Sequence, residues 1–301
     1  MKPARMAARN AVHANIILRN QVSFMPFFLG IVIVLVLLAA LVLFLLAPNR
    51  GAAARAGIFD GLNCAHRGLH SKDRTVPENS LPAFRAAAES GYGIELDVQL
   101  SSDEAVVVFH DDTLDRVCGV HGRVDAFSLE ELRAMRLCGT QEGIPLFTEV
   151  LETVAGRSPL IVELKTGPRN DLLCRKTLDI LRAYDGPFCI ESFDPRIVAW
   201  FRRNAPDIAR GQLSDSPANF KEDGQSALRS FVLGGVWLNV IARPDFIAYG
   251  PGRKPLSVRI AEALGAFRVR WTVRPEDEPA AREKENDCVI FEFYRPEPRF
   301  H

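Results

Sequence analysis

Along residues 93–100, apolar and acidic positions alternate: Ile94, Leu96 and Val98 take one side, Glu95 and Asp97 the other. A period of two is the signature of a strand. Residues 159–165 repeat it, with Leu160, Val162 and Leu164 alternating with Ile161, Glu163 and Lys165. Further strand-like runs lie at 62–65, 188–190, 209–213, 236–240, 267–271 and 288–291, and helical patterns at 81–90, 171–183, 195–204 and 258–264. Asn79 or Ser80 supplies an N-cap for the first helix. Eight strands alternating with helices predict an α/β fold, a TIM-type (β/α)8 barrel over residues 61–301, with a doubly wound open sheet as runner-up. The run 105–109 reads as a short extra strand that pairs with 93–100 and delivers His110 to the rim. Residues 113–150 then form a loop holding one helix, 129–135, opened by the Ser128–Glu131 capping box.

The N-terminal pattern is different. Residues 1–26 form a basic tail with Lys2, Arg5, Arg9 and Arg19 and no acid. Residues 27–47 carry no charge and are long enough to cross a hydrocarbon core of about 30 Å. They predict a single transmembrane helix; the rival reading, a secretory signal peptide, has an apolar core of about 7–15 residues, though Ala54-Arg55-Ala56 resembles a cleavage site. Residues 48–60, rich in Ala, Gly and Arg, read as a linker. The expectation is a single-pass protein of a bacterial inner membrane. The basic tail places the catalytic domain outside, and Arg50, Arg55 and Arg67 pull the other way.

Composition narrows the function. Lysine plus arginine equals aspartate plus glutamate at 37 each, so no global charge points to nucleic acid. The six cysteines, Cys64, Cys118, Cys138, Cys174, Cys189 and Cys288, show no CxxC or metal-knuckle spacing. They read as buried free thiols, with no disulfide pairing selected.

Two carboxylates on one strand face repel unless a positive group lies between them, and a divalent cation with oxygen ligands fills that role. A barrel gathers catalytic groups at the carboxyl ends of its strands, where His66, Glu95, Asp97, His110, Glu163 and Lys165 fall. Two histidines across a cleft serve as general base and general acid. The Arg67 guanidinium fits a phosphodiester, and Glu95, Asp97 and Glu163 suit a metal that neutralises phosphoryl oxygens. An ion-pair network balanced by Arg67 and Lys165 accounts for the same residues, and spacing leaves both readings open.

The ordered series His66-Arg67-Gly68, Pro77-Glu78-Asn79-Ser80, Glu95-Leu96-Asp97 and His110-Asp111 resembles the glycerophosphodiester phosphodiesterase family. Leu114-Asp115-Arg116, Ile144-Pro145, Glu163-Leu164-Lys165, Ser192-Phe193-Asp194 and Trp271-Thr272-Val273 continue the resemblance, to a membrane-anchored bacterial-type member. It implies a TIM-type barrel, a catalytic pair at His66 and His110, and phosphate contacts at Arg67 and Lys165. One Ca2+ or Mg2+ ion would be held by Glu95, Asp97 and Glu163, and Glu78, Asn79, Ser192, Phe193 and Trp271 are candidate pocket residues. The implied reaction is metal-dependent hydrolysis of glycerophosphodiesters to an alcohol and sn-glycerol 3-phosphate through a cyclic phosphate, on a small-molecule or lipid phosphodiester. Alternatives are a lysophospholipase D, a phosphatidylinositol-type lyase that stops at the cyclic phosphate, and a non-catalytic tethered binder. One motif departs: the family's Thr-Asp pair before a proline is replaced by Ile290-Phe291-Glu292-Phe293-Tyr294, which bears on the pocket floor and on glycerol specificity.

Overall fold

A computed structural model of the chain describes residues 27–298; the basic tail expected at 1–26 lies outside them. The chain divides into two units, Met1–Leu45 and Leu46–His301. The helix Phe27–Leu46 has 20 residues and a mean hydropathy of 3.5, long and apolar enough to cross a bilayer. A signal sequence meets the same criterion.

The second unit is a closed barrel. Its strands are β1 (Asn63–Ala65), β2 (Gly93–Leu100), β3 (Val106–Val108), β4 (Leu160–Leu164), β5 (Phe188–Ser192), β6 (Arg210–Ser214), β7 (Phe246–Tyr249), β8 (Phe267–Val273) and β9 (Cys288–Phe291). Parallel pairing runs from β2 through β4 to β9, and β1 pairs with both β9 and β2. That double pairing closes eight parallel strands into the expected barrel and excludes the open sheet. β3 adds to β2 in antiparallel register, as the 105–109 run predicted.

Alternation explains how each strand faces two environments. Ile94, Leu96, Val98, Leu160, Val162 and Leu164 pack outward beneath helices that contribute Phe84, Phe147 and Phe201. Cys64, Ile161, Cys189, Phe246, Val269, Cys288 and Ile290 fill the interior below the polar site. All six cysteines are free; Cys64 and Cys288 place their sulfur atoms 3.7 Å apart in this inner core.

Two sequence expectations are corrected. Residues 236–240 are not a strand: the chain turns there and enters the short helix Asn239–Ala242, and Phe246–Tyr249 supplies the sixth of the eight parallel barrel strands. Both are short apolar runs, which periodicity alone cannot separate; register against β6 and β8 selects the second. Residues 48–60 are not a free linker. Ala52, Ala56 and Phe59 are buried, Phe59 joins the inner core, and the Asp245 carboxylate accepts from Asn49 Nδ2 and Arg55 Nε, each at 2.9 Å.

Helix starts follow local chemistry. Ser80, not Asn79, caps Leu81–Glu89, and the Ser128–Glu131 capping box opens Leu129–Ala134.

Candidate active site

The site begins with register. Asp97 on β2 lies opposite Glu163 on β4, and Glu163 opposite Glu191 on β5. Glu95 sits two residues below Asp97 on the same inward face. Ligand oxygens of Glu95, Asp97 and Glu163 lie within 4.8 Å of one another, and all three residues are buried.

Cations partly neutralise this cluster. Lys165 Nζ is 2.9 Å from Glu163 and 3.5 Å from Asp97. Arg67 donates its backbone N–H to Glu95 at 3.0 Å, places Nε 3.6 Å from Asp97 and reaches Glu78 at 2.7 Å. The turn carrying it is tight: Arg67 and Gly68 have φ of 54° and 78°, and a Cβ on Gly68 would meet the Ala83 backbone at 2.8 Å. Only glycine avoids both the left-handed strain and that clash.

The charges remain unequal. Burial, then Asp97 and Glu163, pushes the Glu95 carboxyl well above the ordinary carboxylate range. Burial also raises Glu163, against Lys165. Burial opposes ionisation of Asp97, but His110, Lys165 and Arg67 outweigh it and hold its pKa down. Asp97 Oδ1 and Asn79 Oδ1 are buried without a hydrogen-bond partner. Repelling carboxylates beside two unsatisfied oxygens form an all-oxygen donor set that fits a hard divalent cation such as Ca2+ or Mg2+.

The two histidines are held by separate carboxylates. His66 Nδ1 lies 3.2 Å from Glu292 Oε1, which is also 3.1 Å from His70 Nε2. Arg274 Nε binds the other Glu292 oxygen at 2.8 Å. Burial disfavours a charged Glu292, yet these donors keep it ionised, far below the usual range. An ionised partner accepts a hydrogen bond from the Nδ1–H of a neutral His66 ring, leaving Nε2 as the acceptor, 3.9 Å from Glu95. Burial, with help from Arg67, lowers the His66 pKa to about 4 against Glu292. His110 Nδ1 lies 2.6 Å from Asp111 Oδ1, and Arg116 bridges Asp111 and Glu78. Gln99 Nε2 donates to the carbonyls of Phe109 and Asp111, so β2 fixes the loop that presents His110.

The other predicted pocket residues divide. Asn79 Nδ2 donates to Asp97 at 2.8 Å and Glu78 joins Arg67 to Arg116. Phe193 and Trp271 meet edge to face at 5.5 Å and pack onto the inner core. Ser192 turns away from the interior; its hydroxyl donates to the Leu164 carbonyl and accepts from the Asp194 N–H.

Residues 66–295, which include every one of these side chains, match the sequence profile of the glycerophosphoryl diester phosphodiesterases. The chain belongs to the glycerophosphoryl diester phosphodiesterase family. A glycerophosphodiester phosphodiesterase of Caldanaerobacter subterraneus subsp. tengcongensis is 41% identical over 113 residues, 34% of this chain and 44% of the relative. One from Bacillus altitudinis is 40% identical over 108 residues, 34% of this chain and 43% of the relative. The matched stretch spans less than half the length of either relative. Among solved structures, an Oleispira antarctica phosphodiesterase in complex with the product sn-glycerol-3-phosphate is similar with a TM-score of 0.64. The identity is 24%, over 78% of this chain and 94% of that one, a likeness of fold.

Within this family framework, the roles of two acids escaped the sequence reading. Glu292 continues the inward alternation of Cys288 and Ile290 on β9, a visible signal, but only barrel closure brings it to His66. Glu191 follows Cys189 on the inward face of β5. It is buried, its Oε2 has no hydrogen-bond partner, and burial, then Glu95 and Glu163, pushes its pKa well above the ordinary value.

Proposed function

We propose that the protein is a metal-dependent phosphodiesterase that converts glycerophosphodiesters to an alcohol and sn-glycerol 3-phosphate. The observation that carries this reading is the pairing of two carboxylate-oriented histidines, His66 and His110, with the buried Glu95–Asp97–Glu163 cluster at the strand ends. Glu95, Asp97 and Glu163 would hold the cation, whose chemistry is to withdraw charge from the phosphoryl oxygens.

The chain's own groups account for the proton transfers. Arg67 and Lys165 set the phosphate by charge and hydrogen bonding. His66 Nε2 takes the proton of the substrate's hydroxyl neighbouring the phosphate as that oxygen bonds to phosphorus. His110 protonates the departing alcohol oxygen as its P–O bond breaks. Water then opens the cyclic phosphate with the roles reversed: His110 takes the water proton and His66 returns its own to the ring oxygen.

The test uses purified full-length protein in detergent with glycerophosphocholine and lysophosphatidylcholine, in Ca2+ or Mg2+ and then in chelator. Metal-dependent release of choline and sn-glycerol 3-phosphate from glycerophosphocholine is the expected result. Release only from lysophosphatidylcholine would reassign the enzyme as a lysophospholipase D. Accumulation of a cyclic phosphate would reassign it as a lyase, and no turnover of any phosphodiester would leave a binder.

A further inference from the structure

A cavity of about 270 Å³ reaches from His66 and Glu292 to Arg116, whose guanidinium binds Asp111, the carboxylate that holds His110, so it adjoins the side where the leaving alcohol is protonated. Its wall carries Arg67, Lys72, Arg74, Arg116 and Arg274 against two carboxylates, Glu78 and Glu292. Both carboxylates are already satisfied: Glu78 by Arg67 and Arg116, Glu292 by His66, His70 and Arg274. Lys72 and Arg74 form no ion pair among the described residues. Lys72 Nζ stands 6.0 Å from the Phe293 ring centroid.

The loop that bears them is internally braced. Asp73 accepts from Ser71 Oγ at 2.6 Å and from Thr75 N and Oγ1 at 3.1 and 2.8 Å. Its charge is thereby turned into its own loop, and it does not line the cavity. Arg74 adopts a φ of 64°, a conformation that side chains other than glycine take up only when the surroundings hold them there. The recess next to the phosphate site therefore has two uncompensated cations on its wall.

We infer that this cavity receives a leaving alcohol bearing its own anionic group, so that the preferred substrate is a glycerophosphodiester with a second negative charge. The inference rests on the phosphodiesterase reading and deepens it. In that reaction the glycerol arm is neutral, so an anionic arm has to be the leaving alcohol. A phosphate or carboxylate on that alcohol finds Lys72 and Arg74, whereas a quaternary ammonium is repelled. The side chains of Lys72 and Arg74 are exposed, so the preference is moderate and weakens with salt.

The experiment measures kcat/KM of full-length protein, in excess divalent cation, on sn-glycero-3-phosphoinositol and on its ring monophosphate. These substrates differ only in the anionic phosphate carried by the leaving alcohol. The expected result is a preference of about tenfold for the monophosphate at low salt, falling toward unity in the K72A/R74A double variant. Equal kcat/KM for both substrates in the parent protein would overturn the inference and leave the phosphodiesterase reading standing. So would a double variant that loses activity on both in the same proportion, because Lys72 and Arg74 would then serve the shared phosphodiester. Hydrolysis of neither substrate nor of glycerophosphocholine would remove the phosphodiesterase reading, and this inference with it.

Discussion

Glu292 at the end of β9 holds the His66 ring at the end of β1, Oε1 to Nδ1 at 3.2 Å. The two residues are 226 positions apart and meet because β1 pairs with β9. A carboxylate at Nδ1 sets tautomer and orientation together, so Nε2 is directed toward the Glu95 side.

Glu292→Ala should lower kcat by about 10–100-fold, the usual effect of removing a carboxylate that orients a functional imidazole. Glu292→Gln, which still offers an oxygen to Nδ1–H, should recover part of the loss. Steady-state kinetics on glycerophosphocholine checks both; an unchanged kcat in the alanine variant would show that His66 needs no such partner.

His66→Ala and His110→Ala should each reduce kcat by about 10²–10⁴-fold, with the melting temperature near that of the parent. Near-normal turnover in either variant would remove that histidine from the mechanism.

The acid cluster predicts a stabilising response to metal. At a concentration about 100 times the dissociation constant, Ca2+ or Mg2+ should add about 2.7 kcal/mol of stability, and chelator should reverse it. Glu95→Gln and Glu163→Gln should shift the titration to higher metal concentration. Calorimetric titration and thermal melts read this without reference to turnover, and a chelator-insensitive melt would favour a self-contained ion-pair network.

Glu191 gives a pH dependence of definite sign. Its folded pKa is raised above the ordinary 4.5. Between those two values the unfolded chain has released a proton that the folded chain still binds, so stability falls as pH rises, by about 1.4 kcal/mol per pH unit at most. Urea unfolding of metal-free protein should show Glu191→Gln gaining on the parent from pH 5 upward. Parallel curves would mean that Glu191 titrates as it does in the unfolded chain.

At the opposite end of the barrel, Asp245 accepts the Arg210 backbone N–H at 3.1 Å, lies 3.7 Å from the buried Arg210 guanidinium, and also binds Asn49 and Arg55. Asp245→Ala strands the Arg210 guanidinium and should cost about 3–5 kcal/mol. Arg55→Ala removes a half-exposed partner and should cost about 1 kcal/mol or less. Denaturant midpoints separate the two, and equal losses would place the weight on the Asn49–Arg55 segment instead.

Much of this protein is written locally. The alternation of Glu95 and Asp97 with Ile94, Leu96 and Val98 determined by itself that two acids share one strand face, because backbone geometry sends successive side chains to opposite sides. The Ser128–Glu131 box and the apolar run before residue 47 are likewise properties of neighbouring residues. Other features depend on which strands become neighbours. Residues 236–240 and Phe246–Tyr249 are equally apolar, and only pairing with β6 and β8 gave the second its place. Residues 48–60 look like a linker until Asp245, nearly two hundred positions away, binds them. The same non-local closure set Glu292 against His66 and Glu191 beside Glu163. Tertiary structure decided these pairings because the interactions that stabilise them exist only once the barrel is closed.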